Sequence, residues 1–168
     1  VQTELEIKAL NDAGEFEGWA ARYGNVDSQN DRIEAGAFAG DNGRDVPILW
    51  AHKAELVAGV GRLEERAEGL YLKGRLLLDT ADGRDAYSRL KAGAARGLSV
   101  GFRLLEKAVE GTLRRILKGT VAEVSLTAFP ANAAALVTAV KAKPGPTEAL
   151  DRSLHPWNYL RGCKAPGA

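Results

Sequence analysis

Most of the chain up to residue 78 alternates apolar and polar positions with period two, as strands do when one face is buried and the other is not. The segments "TELEIKAL" (3–10) and "EFEGWAARYG" (15–24) predict two strands joined by the turn-forming Asn11-Asp12-Ala13-Gly14. The polar "NVDSQNDR" (25–32) reads as a loop leading to Ile33 and to Gly36-Ala37-Phe38. A short apolar run, "VPILWAH" (46–52), follows, and Pro47 marks its start or a sheet edge. The stretch "GVGRLEERAEGLYLKGRLLL" (59–78) predicts a hairpin turning at Ala67-Glu68-Gly69. Leu70, Leu72, Leu76 and Leu78 share one face, and Tyr71, Lys73 and Arg75 the other.

The period then changes. "TADGRDAYSRLKAG" (80–93) predicts a helix capped by Asp79 or Thr80, with Asp82 at the positive end of its dipole and Gly93 as its stop. Ala86, Tyr87 and Leu90 form its apolar stripe. "RGLSVGF" (96–102) returns to period two, with Leu98, Val100 and Phe102 on one face and Gly97, Ser99 and Gly101 on the other. After a charged turn at Glu110-Gly111, "RRILKGTVAEVSLTAF" (114–129) predicts one or two strands. Ala122, Val124, Leu126 and Ala128 make its core face, and Glu123, Ser125 and Thr127 its polar face. Pro130 ends the run, and "ANAAALVTAV" (131–140) fits a short helix and a strand equally. Beyond Lys141 proline and glycine flank a short amphipathic stretch. The expected organisation is one folded domain over 1–143 and a tail over 144–168, in a chain of α+β class that is mainly β.

Composition adds exclusions. With 168 residues the chain fits one domain with a real core, and 23 Lys and Arg against 22 Asp and Glu predict no grip on nucleic acid or an anionic membrane. No apolar run reaches the length of a membrane span, and the first residues hold no signal-peptide core. The single Cys163 has no partner for an internal disulfide, which fits a reducing compartment. The chain has no methionine and begins at Val1, so a trimmed or processed start is expected. Gly59-Val60-Gly61 lacks the third glycine and the helix of a dinucleotide site. Asp27 and Asp31 lack the spacing of a calcium loop, and nothing has zinc-site spacing. No cofactor is expected.

Chemistry near neutral pH rests on few groups. The chain has two histidines, His52 and His155. Ser99 stands between two glycines, which keeps its face of the strand bare and open to the approach of a ligand. A serine hydroxyl needs a neighbouring base to become a nucleophile, and His52, at the end of an apolar run, is placed to reach a cleft. Glu123 lies in an otherwise apolar strand, where a carboxylate needs a partner, and it can orient an imidazole as the acid of a triad does. Asp27 and Asp31 remain alternatives for that third place. Arg114-Arg115 reads as a solvated strand end or a substrate contact. Gly97-Leu98-Ser99-Val100-Gly101 also matches the G-x-S-x-G elbow, which would require His155 as base, Asp151 as acid and a helix directly after the serine. The residues after Ser99 continue a strand pattern instead.

Four stretches, "GNVDSQNDRIEAGAF", "PILWAH", "RGLSVGF" and "AEVSLTAFPAN", in this order and spacing, resemble the prohead (head-maturation) proteases of tailed bacteriophages. The resemblance runs from about Glu15 to Lys141. That family is similar to the herpesvirus capsid proteases, so it implies a closed or partly open β-barrel flanked by a few helices. It implies Ser99 as nucleophile, His52 as general base and Glu123 as the third member. Ala131 and Asn132, in the loop after Pro130, would then provide backbone amides for the oxyanion, with Gly97 and Gly101 beside the substrate. It further implies an endopeptidase acting on capsid and scaffold proteins inside the prohead, in the host cytoplasm, as a homo-oligomer. A non-catalytic module that binds scaffold during assembly is the alternative from another class, and a small esterase of the elbow type is a third.

Overall fold

The computed structural model describes residues 13–139. Eight strands run through them: β1 (Glu15–Arg22), β2 (Asp31–Ile33), β3 (Asp45–Trp50), β4 (Lys53–Arg66), β5 (Gly69–Leu76), β6 (Gly97–Glu110), β7 (Leu113–Thr127) and β8 (Val137–Ala139). One α-helix, α1 (Ala81–Lys91), and a 3₁₀ turn at Ala39–Asp41 complete the described part. The strand expected over 3–10 and the tail beyond residue 143 lie outside the described residues, as do Asp151, His155 and Cys163.

All eight strands belong to one sheet, in the order β2-β7-β3-β4-β5-β1-β8, with β6 along the other edge of β7. The sheet curls until its two sides approach. Leu98 donates its N–H to Ala135 O and Trp19 donates to Leu136 O, both at 2.9 Å, so residues 135–137 strap the start of β6 to β1. The result is a partly open barrel around a core that includes Phe38, Ile48, Leu63, Leu72, Leu98 and Leu126, each fully buried. α1 lies against β4 and β5 through Ala86 and Leu90. Thr80 caps it by accepting the Gly83 N–H at 3.0 Å, and the left-handed Gly93 follows its end.

The hairpin β4–β5, the helix and the β6–β7 turn follow the sequence pattern. Several details do not. β2 forms at the end of the expected loop and pairs in parallel with β7 at Asp31↔Arg114 and Ile33↔Ile116. The region 114–129 makes one strand, and 131–140 turns at Ala133-Ala134 before β8. Ala122 and Ala128 are exposed, not core. Opposite β6, Glu123 pairs with Gly101 and Val121 with Phe102, so Ala122 is the extra residue of a bulge that resets which side chains face inward. Tyr71 is buried although it lies on the face opposite the leucines, because Trp19 packs edge-on to its ring at 4.9 Å and Arg66 covers it at 3.5 Å.

Candidate active site

β7 organises the site. β6 runs antiparallel along one edge, with Ser99 opposite Ser125 and Gly101 opposite Glu123. Directly opposed residues share a sheet face, so these four lie together on one side, while Leu98, Val100, Val124 and Leu126 take the other. On the other edge β3 runs parallel to β7, pairing Leu49 with Ser125 and Trp50 with Leu126. The chain then reverses into β4 through only two residues, Ala51 and His52, both left-handed at φ 49° and 61°. Tight hairpin turns that need two positive φ angles favour Asn-Gly, so an Ala-His pair there stores strain of about 1–3 kcal/mol per residue. Two hydrogen bonds hold it: Ala51 N–H to Leu126 O and His52 N–H to Ser125 Oγ, each 2.9 Å.

That turn brings His52 over the polar face of β6 and β7. Its Nε2 lies 3.0 Å from Ser99 Oγ and its Nδ1 lies 2.7 Å from Glu123 Oε1. The imidazole is half-exposed while the Glu123 side chain is only 13% exposed, so the pair is open to solvent on one side only. A second bond, from Ser125 Oγ to Glu123 Oε2 at 2.8 Å, occupies the other carboxylate oxygen. An imidazole bonded in this way can accept a proton from the hydroxyl at one nitrogen while its other N–H is held by a carboxylate.

A cavity of about 170 Å³ opens beside Ser99 and His52, lined also by Val100, Phe102, Asp27 and Asn132. Ala131 borders it too. The Asn132 side chain is spent inside the fold. Its amide exchanges hydrogen bonds with the Asn25 amide at 2.9 and 3.2 Å, its Nδ2 reaches Arg22 O, and its Oδ1 accepts the Ala134 N–H. Ser28 N–H donates to Ala131 O at 3.0 Å. The loop after Pro130 is thereby tied to the loop before β2.

The other candidates have different occupations. Asp27 Oδ1 accepts the N–H groups of Gln29 and Asp31, as a turn residue does. Asp31 is buried in a two-pronged pair with Arg114, and Arg115 bridges Glu34 and Glu110. Of the three carboxylates considered for the third place, Glu123 is the one hydrogen-bonded to His52. The faces of Gly97 and Gly101 are not bare. A Cβ on Gly101 would lie 2.0 Å from Glu123 Oε1, and one on Gly97 would lie 2.5 Å from Pro130 Cδ. The strand carries glycine there because the acid and the proline fill the space, not to leave it open. β6 also continues straight through Ser99, so the strand-turn-helix of the elbow is absent. Ser125 was legible only as one of three polar residues on its strand, and its sole signal was its place two residues after Glu123. Among the described residues, no group of three His, Cys, Asp or Glu is placed to hold a metal ion, and no helix is long and apolar enough to cross a membrane.

Comparison with known proteins bears on this geometry. The chain is similar to the prohead protease of Enterobacteria phage HK97, 35% identical over 154 residues, covering 84% of this chain and 68% of the relative. It is also similar to a capsid polyprotein of Pseudomonas phage PAJU2, 29% identical over 146 residues, where it covers 82% of this chain but only 22% of that protein. The fold resembles the KSHV protease, solved with a hexapeptide phosphonate inhibitor, at a TM-score of 0.53 and 14% identity, over 73% of this chain and 63% of that one. At that identity the likeness concerns the fold, a curled, mainly β barrel of the herpesvirus protease kind. The family model for the Caudovirus prohead serine protease matches residues 3–149, which takes in every described strand and the three hydrogen-bonded side chains, and the chain belongs to that family.

Proposed function

We propose that the chain is an endopeptidase that trims capsid and scaffold proteins inside the immature phage head, using Ser99, His52 and Glu123 as a triad. The observation that carries this reading is one imidazole bonded at opposite nitrogens, 3.0 Å from a serine hydroxyl and 2.7 Å from a carboxylate. Nε2 takes the Oγ proton as Oγ attacks the scissile carbonyl carbon. Glu123 accepts the Nδ1–H, fixes the tautomer and stabilises the imidazolium. The imidazolium then protonates the leaving amine, and a water molecule, deprotonated by the same nitrogen, releases the acyl group. The backbone at Ala131 and Asn132 is the site assigned to the oxyanion. It borders the same cavity, and the Asn25–Asn132 amide pair holds it in a fixed arrangement, which is what electrostatic stabilisation requires.

Support for capsid substrates comes from the relatives, one named a prohead protease and one a capsid polyprotein. The place of action is then the interior of the prohead in the host cytoplasm. The high concentration of the chain there drives self-association that orders the active-site loops, so activity rises with protein concentration.

The test is labelling by a fluorophosphonate probe, read by intact mass on concentrated protein, with a capsid precursor digested in parallel. Ser99→Ala is expected to abolish both labelling and cleavage. His52→Ala is expected to slow them by about 10⁴- to 10⁶-fold, and Glu123→Gln by about 10⁴-fold. Labelling that survives Ser99→Ala, or is indifferent to His52→Ala, overturns the triad. Normal labelling with an uncut precursor leaves the serine activated and overturns the capsid substrate.

A further inference from the structure

We propose that Ser125 is a positioning residue that fixes the base and the acid of the site through a single hydroxyl. The proposal rests on the triad reading above and extends it to a side chain that reading does not use. Ser125 is fully buried and stands on the same sheet face as Ser99, directly opposite it, and as Glu123, two residues earlier on the same strand.

Its hydrogen-bond directions follow from chemistry alone. The His52 backbone N–H can only donate, so Ser125 Oγ accepts from it at 2.9 Å. A carboxylate can only accept, so the one hydroxyl hydrogen goes to Glu123 Oε2 at 2.8 Å. The bonds close a ring: His52 backbone, Ser125 hydroxyl, Glu123 carboxylate, His52 imidazole. Each corner removes a freedom. The bond to Oε2 stops the carboxylate from rotating and leaves Oε1 pointing at Nδ1. The bond from the His52 N–H supplies a partner to the backbone of a residue held at φ 61°, in a turn whose sequence favours another conformation. With its proton committed to Glu123 and its oxygen out of reach of solvent, Ser125 itself is no nucleophile.

A merely structural serine would be a filler whose replacement is judged by volume. A positioning serine is judged by its hydroxyl. Threonine and valine separate the two, because both add the same bulk at this buried position and differ only in the hydroxyl. The experiment prepares Ser125→Ala, Ser125→Thr and Ser125→Val in the full chain, with His52→Ala alongside. It measures the second-order rate of fluorophosphonate labelling at Ser99, below the melting midpoint of every variant.

Ser125→Ala and Ser125→Val are expected to label about 10- to 100-fold more slowly than the parent, the cost of roughly 1 Å of misplacement at a reacting group. Ser125→Thr is expected to label about 10-fold or more faster than Ser125→Val. A second readout does not depend on labelling. Hydrogen exchange of the His52 amide is expected to stay slow in the parent and Ser125→Thr, and to become fast in Ser125→Val. Equal labelling rates and equal exchange for the threonine and valine variants overturn the proposal, as does an alanine variant that labels like the parent. If that happens while His52→Ala is inactive, the triad stands and only the role of Ser125 falls. If His52→Ala labels like the parent, the triad itself has failed, and this proposal with it.

Discussion

Gly101 and Gly97 flank the same serine and are occupied by different kinds of neighbour. The atoms nearest a Cβ on Gly101 all belong to the Glu123 side chain, not to backbone, so the strand can accept an alanine only by displacing the carboxylate from its bonds to His52 and Ser125. Gly101→Ala is therefore expected to slow labelling of Ser99 by about 10- to 100-fold, because the carboxylate loses its place at Nδ1, with only a small drop in melting temperature. Above Gly97 the neighbours are the Pro130 ring at 2.5 Å and the Thr127 carbonyl oxygen at 2.8 Å, neither of which moves without the backbone. Gly97→Ala is expected to lower the melting temperature clearly, as overpacking by about 1–3 kcal/mol does. Melting curves and labelling rates on the two variants should rank them in opposite order. Equal ranking would mean that the two positions feel the same constraint.

At the scale of elements, β2 has only three residues, too few to hold itself in place, and arginines on β7 fasten it. Asp31 is clasped by Arg114, and Glu34, just after β2, receives Arg32 at 2.9 Å and Arg115 at 2.6 Å. The hydrogen bond from Arg115, then that from Arg32, hold the Glu34 carboxyl below its ordinary range. A carboxylate whose folded pKa is lowered adds stability above its unfolded value and loses it as the pH falls through the folded one. Thermal melting of the parent and Glu34→Gln should therefore differ near neutral pH. The difference should shrink as the pH falls through and below the ordinary glutamate value of about 4.3, and also as salt is added. A difference that persists in strong acid would place the contribution in packing, not charge. The loop that β2 anchors, carrying Asp27, borders the cavity beside Ser99, so loosening this edge should also slow labelling.

Across its described residues the molecule is a curled sheet whose interior is filled from many elements at once, and Phe38 shows the consequence. It comes from the segment before β3, is fully buried, and packs edge-on against Phe102 of β6 at 5.2 Å. Phe38→Ala is expected to cost about 3–5 kcal/mol, measured by denaturant unfolding, and to slow labelling as well because Phe102 lines the cavity beside Ser99. Much of this architecture was legible along the chain. Period-two alternation marked β1, the β4–β5 hairpin and β6, a short apolar run marked β3, and a cap and a glycine marked α1, because burial and the satisfaction of helix ends are local demands that leave a local pattern. The candidate reacting groups were legible for a related reason: few side chains can share a proton near neutral pH, and only two are histidines. Residue type alone did not decide which carboxylate meets His52; the resemblance implied Glu123, with Asp27 and Asp31 as alternatives. Asp27, Asp31 and Glu123 are alike as residue types, and the choice depends on β6 lying antiparallel and β3 parallel to β7 in one register. The bulge at Ala122, the occupants of the space above Gly97 and Gly101, and the two hydrogen bonds of Ser125 depend on the same register. Local sequence alone set most strand faces, though not those of Ala122 and Ala128, and the chemical groups available, since those follow from each residue and its near neighbours. Only the tertiary structure decided which groups meet, since that is set by pairings between strands far apart in the chain.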